Sequence, residues 1–167
     1  AARATRNPRL LFEFDGSFYA ASLLPLMIPE MLHGKRYAAT EAWLTANEPF
    51  RRDVLARLRE AGPLQASDIA DTHVVAAKSE SGWYGSNQVP RMLEVLMRRG
   101  EVAIVGRAGR QRLWDLAERA YPQDLPVYAP DHAQQLRAER RLQALGITKR
   151  DSPWSRVGDA GEPAVVE

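Results

Sequence analysis

Residues 86–116 constrain the fold of this chain more than any other stretch, because a helical pattern passes there directly into a strand pattern. Apolar residues recur at i, i+3, i+4, i+7 and i+8, the spacing of one helix face: Val89, Met92, Leu93, Leu96 and Met97. Gly100 ends this pattern, a β-branched run covers 102–105, and a turn sequence follows at 106–109. Residues 110–114 then alternate with the period of a strand. The stretch predicts an amphipathic helix that begins at about Ser86, followed by a β-hairpin.

Two shorter helical patterns lie upstream of this stretch. The first spans 49–61, with Asn47 as its N-cap and Gly62-Pro63 as its end. Ser67 is expected to cap a second, shorter helix over 67–70. A helix, a short helix, a longer helix and a hairpin, in this order, are typical of a winged helix-turn-helix. The predicted fold class is therefore mixed α+β and mainly helical, with a winged helix-turn-helix, a short hairpin wing and flanking helices.

The domain boundaries follow from these elements. We expect the winged helix-turn-helix domain at 43–122, after an N-terminal connector region at 1–42. A following helix is predicted within 123–147, and 148–167 is interpreted as the flexible start of a further segment.

The connector region has two weaker patterns of its own. Residues 10–14 are apolar enough for a short strand, which ends at the turn signal Asp15-Gly16. Residues 22–29 are apolar but interrupted by prolines, and we interpret them as a packed connector.

Composition and charge narrow the range of partners. The chain has no cysteine, which excludes disulfides and thiolate metal sites and fits a reducing compartment. No apolar run approaches the ~18–20 residues of a membrane span, so we expect a cytoplasmic protein without membrane contact. The three histidines have no metal-ligand spacing, so neither a metal nor another cofactor is expected. The net charge is only +2, but cations are concentrated in one region: Lys78, Arg91, Arg98, Arg99, Arg107, Arg110 and Arg112.

On a winged helix, this basic region predicts double-stranded DNA as the partner. The third helix would enter the major groove, and the hairpin would lie along the phosphates. Arg91 is the first candidate for groove contact, because it lies near the start of that helix and opposite the apolar stripe. The full set of candidate DNA-binding residues is Tyr84, Ser86, Asn87, Arg91, Arg107, Arg110 and Arg112.

Other polar and aromatic residues nearby are expected to be structural. Trp83 is predicted to anchor the core. Arg98 and Arg99 are placed to neutralise the C-terminal end of their helix. Asp115 is expected to fix the base of the wing or to cap the following short helix, and Glu118 to face solvent or pair with the next residue.

Short motifs along residues 10–147 carry a family resemblance. They are Glu13-Phe14, Ala21-Ser22-Leu23-Leu24-Pro25, Gly82-Trp83-Tyr84, Leu93-Glu94, Gly100-Glu101-Val102, Gln111-Arg112-Leu113-Trp114-Asp115-Leu116-Ala117-Glu118-Arg119, Pro122 and Ala144-Leu145-Gly146-Ile147. Together they resemble the winged-helix region of the YcaQ/AlkZ family of bacterial DNA glycosylases, and the run at 111–122 is the most specific part. The resemblance implies tandem winged helices and hydrolysis of the N-glycosidic bond in alkylated or crosslinked DNA.

The sequence departs from the family at the positions where the resemblance would place catalysis. The family's Gln-apolar-Gln or Gln-apolar-Asp triplet does not occur, and Phe18-Tyr19-Ala20 stands where the family has a His-Glu pair. We therefore assign no catalytic residue and leave open whether the chain is an enzyme. One interpretation is an internal, DNA-binding piece of a longer glycosylase. The alternative is a non-catalytic DNA-binding regulator, and a winged helix used only for protein contact is a third possibility.

Overall fold

The computed structural model describes residues 10–77, 86–149, 157–158 and 160–161. In these residues the chain has a mixed α+β fold in which helices predominate, as the sequence predicts. The strands are β1 Leu11–Phe14, β2 Ser17–Ala20, β3 Val102–Ala108 and β4 Gln111–Leu116. The α-helices are α1 Leu24–His33, α2 Ala38–Ala46, α3 Glu48–Ala61, α4 Val89–Arg98, α5 Ala117–Ala120 and α6 Pro130–Leu145.

The four strands form one antiparallel sheet in the order β2-β1-β3-β4. The strand predicted at 10–14 is confirmed as β1, and it continues through a tight hairpin into β2. The two turn residues, Asp15 and Gly16, have φ values of 47° and 78°. Two positive φ values are what a type I′ hairpin turn requires, which explains the Asp-Gly sequence. Glu13 pairs with Ile104, so this N-terminal hairpin extends the sheet of the second hairpin.

The second hairpin is confirmed, but the turn predicted at 106–109 is placed too early. β3 continues to Ala108, which pairs with Gln111, so that Gly109 and Arg110 are the turn residues. Gly106 lies inside β3, beside a shift in the strand register. The backbone of Leu64 exchanges two hydrogen bonds with Trp114, at 3.0 and 2.8 Å, on the side of β4 away from β3.

The helix predicted at 49–61 is confirmed as α3, whereas the connector interpretation of 22–29 is wrong. A 3-10 turn, Ala21–Leu23, leads there into α1. Pro25 occupies the first turn of α1, where a backbone N–H has no partner within the helix, so proline is compatible with a helix start. The prolines of this segment therefore marked the beginning and the interior of a helix.

The predicted cap at Ser67 is also wrong. Ser67 lies inside a single 3-10 turn, Ala66–Asp68, and Gln65 precedes the turn. The Gln65 N–H donates to the Asp68 carboxylate at 3.0 Å, which is one half of a capping box. The chain therefore has one 3-10 turn where a short helix was expected.

One cluster of buried apolar side chains joins the sheet to helices α1 to α4. The five residues of the apolar stripe in α4 are all buried, so the predicted buried face is confirmed. The helix predicted within 123–147 is α6, and it packs against α1. None of the helices in the described ranges is long and apolar enough to cross a membrane.

Candidate nucleic-acid interface

The helix that carries the apolar stripe begins later than predicted. α4 starts at Val89, so Ser86 and Asn87 are exposed residues of the preceding loop. The Asn87 side-chain oxygen accepts the Val89 N–H at 2.9 Å, and the Gln88 N–H donates to Asp71 at 2.8 Å. Two amides at the start of α4 are therefore already bonded within the protein. Tyr84 and Trp83 lie outside the described residues.

Asn47 holds the segment that leads towards α4. It occupies the N-cap position of α3, as predicted, but its side chain does not cap the helix. Instead, its oxygen accepts the N–H groups of Val74 and Val75 at 2.8 and 3.1 Å. Its amide nitrogen donates to the carbonyls of Trp43 and Val75 at 2.9 and 3.0 Å. Asn47 is fully buried, and it fixes residues 74 and 75 against α2 and α3.

Asp71 connects the same segment to the start of α4. One carboxylate oxygen accepts the Gln88 N–H, and the other accepts the N–H of His73 at 3.2 Å and contacts its Nδ1 at 2.8 Å. Burial opposes ionisation of this carboxyl, but these hydrogen bonds outweigh it and lower the pKa of Asp71. The buried Gln88 side chain accepts the Ala77 N–H at 3.0 Å. Asp71 and Gln88 therefore set where α4 begins.

Arg91 is half-buried, because its guanidinium packs on an aromatic ring. Its central carbon lies 5.1 Å from the centre of the Trp43 ring, a cation–π distance. Val95, which is not part of the predicted apolar stripe, is buried as well. The exposed face of α4 is therefore narrower than the stripe alone would leave it. Arg91, predicted to face the DNA groove, packs against α2.

Arg107 and Arg112 form a cluster with a buried carboxylate. They are direct partners across the β3–β4 ladder. Arg107 donates to both oxygens of Glu13, at 3.0 and 2.9 Å, and the Nε of Arg112 donates to Glu13 at 2.7 Å. The Glu13 side chain is only 5% exposed. Arg112 also lies 3.8 Å from Glu94 on α4. Sequence reasoning did not identify Glu13 as part of this site, because it lies 94 residues from Arg107 in the chain.

Arg110 differs from the other two arginines of the β3–β4 hairpin. It is exposed in the two-residue turn between β3 and β4. Within the described ranges, its guanidinium makes no hydrogen bond or ion pair, and only its backbone carbonyl accepts a bond, from Arg107 at 3.4 Å. Arg110 is therefore placed to meet an anion from solvent.

Arg98 and Arg99 were predicted to neutralise the end of α4, but they pair with carboxylates. Arg98 binds Asp15 in the turn of the N-terminal hairpin, at 2.9 Å from its Nε. Arg99 binds Glu41 at 2.9 Å and Glu101 at 3.1 Å. The carbonyl of Arg98 instead accepts a bond from Arg36, at 3.4 Å.

Asp115, predicted to fix the base of the wing or to cap the following short helix, lies at the base of the β3–β4 hairpin and does not cap α5. It is buried, and one of its oxygens accepts the Leu116 N–H at 2.7 Å and the Nε of Arg119 at 3.0 Å. Arg119 also donates to the Leu58 carbonyl, and to the Arg59 carbonyl at 3.0 Å, at the end of α3. Gly62 leaves room for this contact, since a Cβ there would lie 2.9 Å from the Asp115 carboxylate. Exposed Glu118 does not take part in these bonds.

Within residues 10–77 and 86–149, no group of histidine and carboxylate side chains is placed to hold a metal ion.

Comparison with known proteins gives a family and no structural neighbour. No solved structure matches this chain. The family model described as "DNA glycosylase AlkZ-like" matches residues 11–156, which include every strand and helix of the structure. The chain belongs to the AlkZ-like family of DNA glycosylases.

Proposed function

We propose that residues 43–122 form a winged helix-turn-helix that binds duplex DNA as part of a glycosylase for alkylated or crosslinked DNA. The proposal is supported by the order of the elements: α3, the Leu64 bridge to β4, a 3-10 turn, α4 and the β3–β4 hairpin. The observation that carries it is Arg110, a cation without an ion partner in the described residues, at the tip of a hairpin beside the third helix. In a chain of the AlkZ-like DNA glycosylase family, the natural partner of such a wing is a phosphate.

A non-catalytic DNA-binding regulator is the second candidate. It is favoured by the absence of a Gln-apolar-Gln or Gln-apolar-Asp triplet from the 167 residues of the sequence. The two candidates share the DNA-binding surface and differ in whether base excision takes place. The same surface residues are proposed in both cases: Tyr84, Ser86, Asn87, Arg91, Arg107, Arg110 and Arg112.

The salt dependence of binding tests the DNA-binding part of the proposal. Four of the six arginines between 91 and 112 are ion-paired, which leaves Arg110 and the Trp43-packed Arg91, so we expect about one or two phosphate contacts. The slope of log affinity against log salt should then be about −1 to −2, at roughly −0.9 per contact. Fluorescence anisotropy with a short labelled duplex measures this slope. No binding at low salt, or a flat response, contradicts the proposal.

A pair of arginine variants locates the contact. Arg110→Ala should make the salt slope shallower by about 1, because one phosphate contact is lost. Arg57→Ala removes the same charge from the surface of α3, where Arg57 pairs with Glu60, and serves as the control. Equal effects of the two substitutions would mean that binding responds to net charge and that the turn is not a contact.

A further inference from the structure

We propose that Glu13 restrains Arg107 and Arg112 and thereby weakens the contact of the wing with DNA phosphates. The inference rests on the proposed DNA-binding function and adds a residue that limits its strength. It identifies the N-terminal hairpin, which lies outside the proposed 43–122 domain, as a part of the interface.

The first step is the pairing of two like charges in the wing. Arg107 and Arg112 face each other directly across β3 and β4. Cross-strand partners have Cβ atoms only about 4.5–5.5 Å apart, so two cations at such positions repel each other and destabilise the hairpin. A hairpin with this pair requires an anion close to both guanidinium groups.

Glu13 is that anion. β1 runs beside β3, and the Glu13 carboxylate accepts three hydrogen bonds from the two arginines, at 2.7 to 3.0 Å. The carboxylate is almost completely buried, whereas the side chains of Arg107 and Arg112 are 43% and 32% exposed. A buried carboxylate is costly without its partners, so these ion pairs are held more firmly than pairs on an open surface.

The charges of the cluster cancel. Arg107 and Arg112 contribute two positive charges, and Glu13 and Glu94 contribute two negative charges at 2.7 to 3.8 Å. At distances larger than the spacing of these four groups, a phosphate is attracted only by their net charge, which is zero. A phosphate that arrives at short range must compete with a carboxylate for the same guanidinium N–H groups.

This arrangement leaves Arg110 as the cation of the wing that can meet phosphate without breaking an ion pair. Phosphate contacts carry no information about the bases, so each restrained arginine lowers affinity for every duplex alike. Glu13 therefore keeps the sequence-independent part of DNA binding weak. Contacts other than those to phosphate then contribute a larger share of the affinity, and these can distinguish one DNA site from another.

The test is Glu13→Gln, which removes the charge and keeps the size of the side chain. Because Arg107 is released towards phosphate while Arg112 keeps Glu94 at 3.8 Å, the variant should bind an undamaged duplex about 3- to 10-fold more tightly at ~50 mM salt, with a slope steeper by about 1. Glu118→Gln changes the net charge equally, in α5 beyond the end of β4 and away from the wing turn, and should bind as the parent does. Adding Arg107→Ala to Glu13→Gln should remove most of the gain. Thermal unfolding establishes that each variant is folded.

The outcomes separate this inference from the proposed function. If the parent chain does not bind duplex DNA, the proposed function fails. If the parent binds and folded Glu13→Gln binds equally or more weakly, Glu13 does not restrain the wing. An equal gain in Glu118→Gln overturns the inference too, since net charge then explains the effect.

A second comparison decides the question if Glu13→Gln does not fold. In the parent background, Arg107→Ala should reduce the salt slope clearly less than Arg110→Ala does, because Arg107 is held by Glu13. Equal losses from the two substitutions contradict the restraint.

Discussion

At the scale of single residues, the buried polar side chains do most to organise the site. Glu13, Asn47, Gln88 and Asp115 are the buried polar residues in the described part of the chain. Glu13 and Asn47 bond to elements distant in sequence, Asn47 for example to residues 74 and 75, whereas Asp115 bonds to Leu116 and Arg119 nearby. The type of residue at position 47 suggested a helix cap, because asparagine often has that role. Its actual partners depend on the tertiary fold, which no local pattern contains.

Asp71 gives a prediction about the start of α4. Asp71→Asn replaces one accepting oxygen by a donor that faces an N–H group, either of Gln88 or of His73. Since hydrogen bonds to charged groups contribute about 1.5–3 kcal/mol, we expect a loss of roughly 1–2 kcal/mol in unfolding free energy at pH 7. Urea unfolding measures this loss. The exposed Asp124→Asn is the control and should change stability by less than about 0.5 kcal/mol.

The pH dependence of that loss follows from the sign of the pKa shift. The pKa of Asp71 is lower in the folded protein than its ordinary value of 3.8, so the carboxylate stabilises the fold above 3.8. This stabilisation decreases as the pH falls through the lowered folded pKa. The difference between the parent and Asp71→Asn should therefore be constant at neutral pH and shrink below about pH 4. A difference that grows with acid would contradict the role of Asp71 as an ionised anchor.

At the scale of elements, helices and strands with a strong apolar period could be predicted from the sequence. Elements with a weak or proline-containing pattern could not. α4 has an uninterrupted apolar stripe, and β3 and β4 have β-branched and alternating residues, so their type was correctly predicted. β2 is only four residues long and mostly exposed, and its strand character depends on pairing with β1. α1 contains two prolines, which hid its helical period. The start of α4 depends on its contact with Asp71, and the position of the β3–β4 turn depends on strand register.

The core position Leu93 tests the element that carries the site. It is fully buried in α4, so Leu93→Ala should leave a cavity and cost about 2–5 kcal/mol of unfolding free energy. Leu145→Ala, at the end of α6 where the leucine is 51% exposed, should cost less than about 1 kcal/mol and is the matched control. Chemical denaturation compares the two. A similar small loss in both would mean that the stripe of α4 is not the core-facing side.

At the scale of the whole molecule, the sequence indicated where the cations are but not how they are neutralised. The basic cluster at 78–112 is a true feature of the sequence. Three of the carboxylates that neutralise it come from distant segments, Glu13 and Asp15 from the N-terminal hairpin and Glu41 from α2, and Glu94 and Glu101 lie within the region itself. A count of charges along the chain, which leaves out these distant partners, therefore overestimates the positive potential of the β3–β4 hairpin. The family could be recognised from the sequence because its motifs at 111–122 are local.

The same neutralisation bears on whether these 167 residues catalyse base excision. Hydrolysis of an N-glycosidic bond requires a carboxylate or amide that can orient the attacking water. Of the three carboxylates near family-like positions, Asp15 is engaged with Arg98 and Asp115 with Arg119, whereas Glu118 is exposed at the surface. Glu13, in the family-like Glu13-Phe14 pair, is bound by two arginines. We therefore expect the purified chain to release no alkylated purine above background from methylated duplex DNA, and to leave an interstrand crosslink intact.

Chromatography of the released bases measures the first reaction, and a denaturing gel measures the second, with an active alkylpurine glycosylase as the positive control. Multiple-turnover release by this chain would contradict the expectation. Asp15→Asn and Asp115→Asn would then identify which carboxylate leaves its arginine to activate water, because only the loss of the reacting group should abolish release while duplex binding persists.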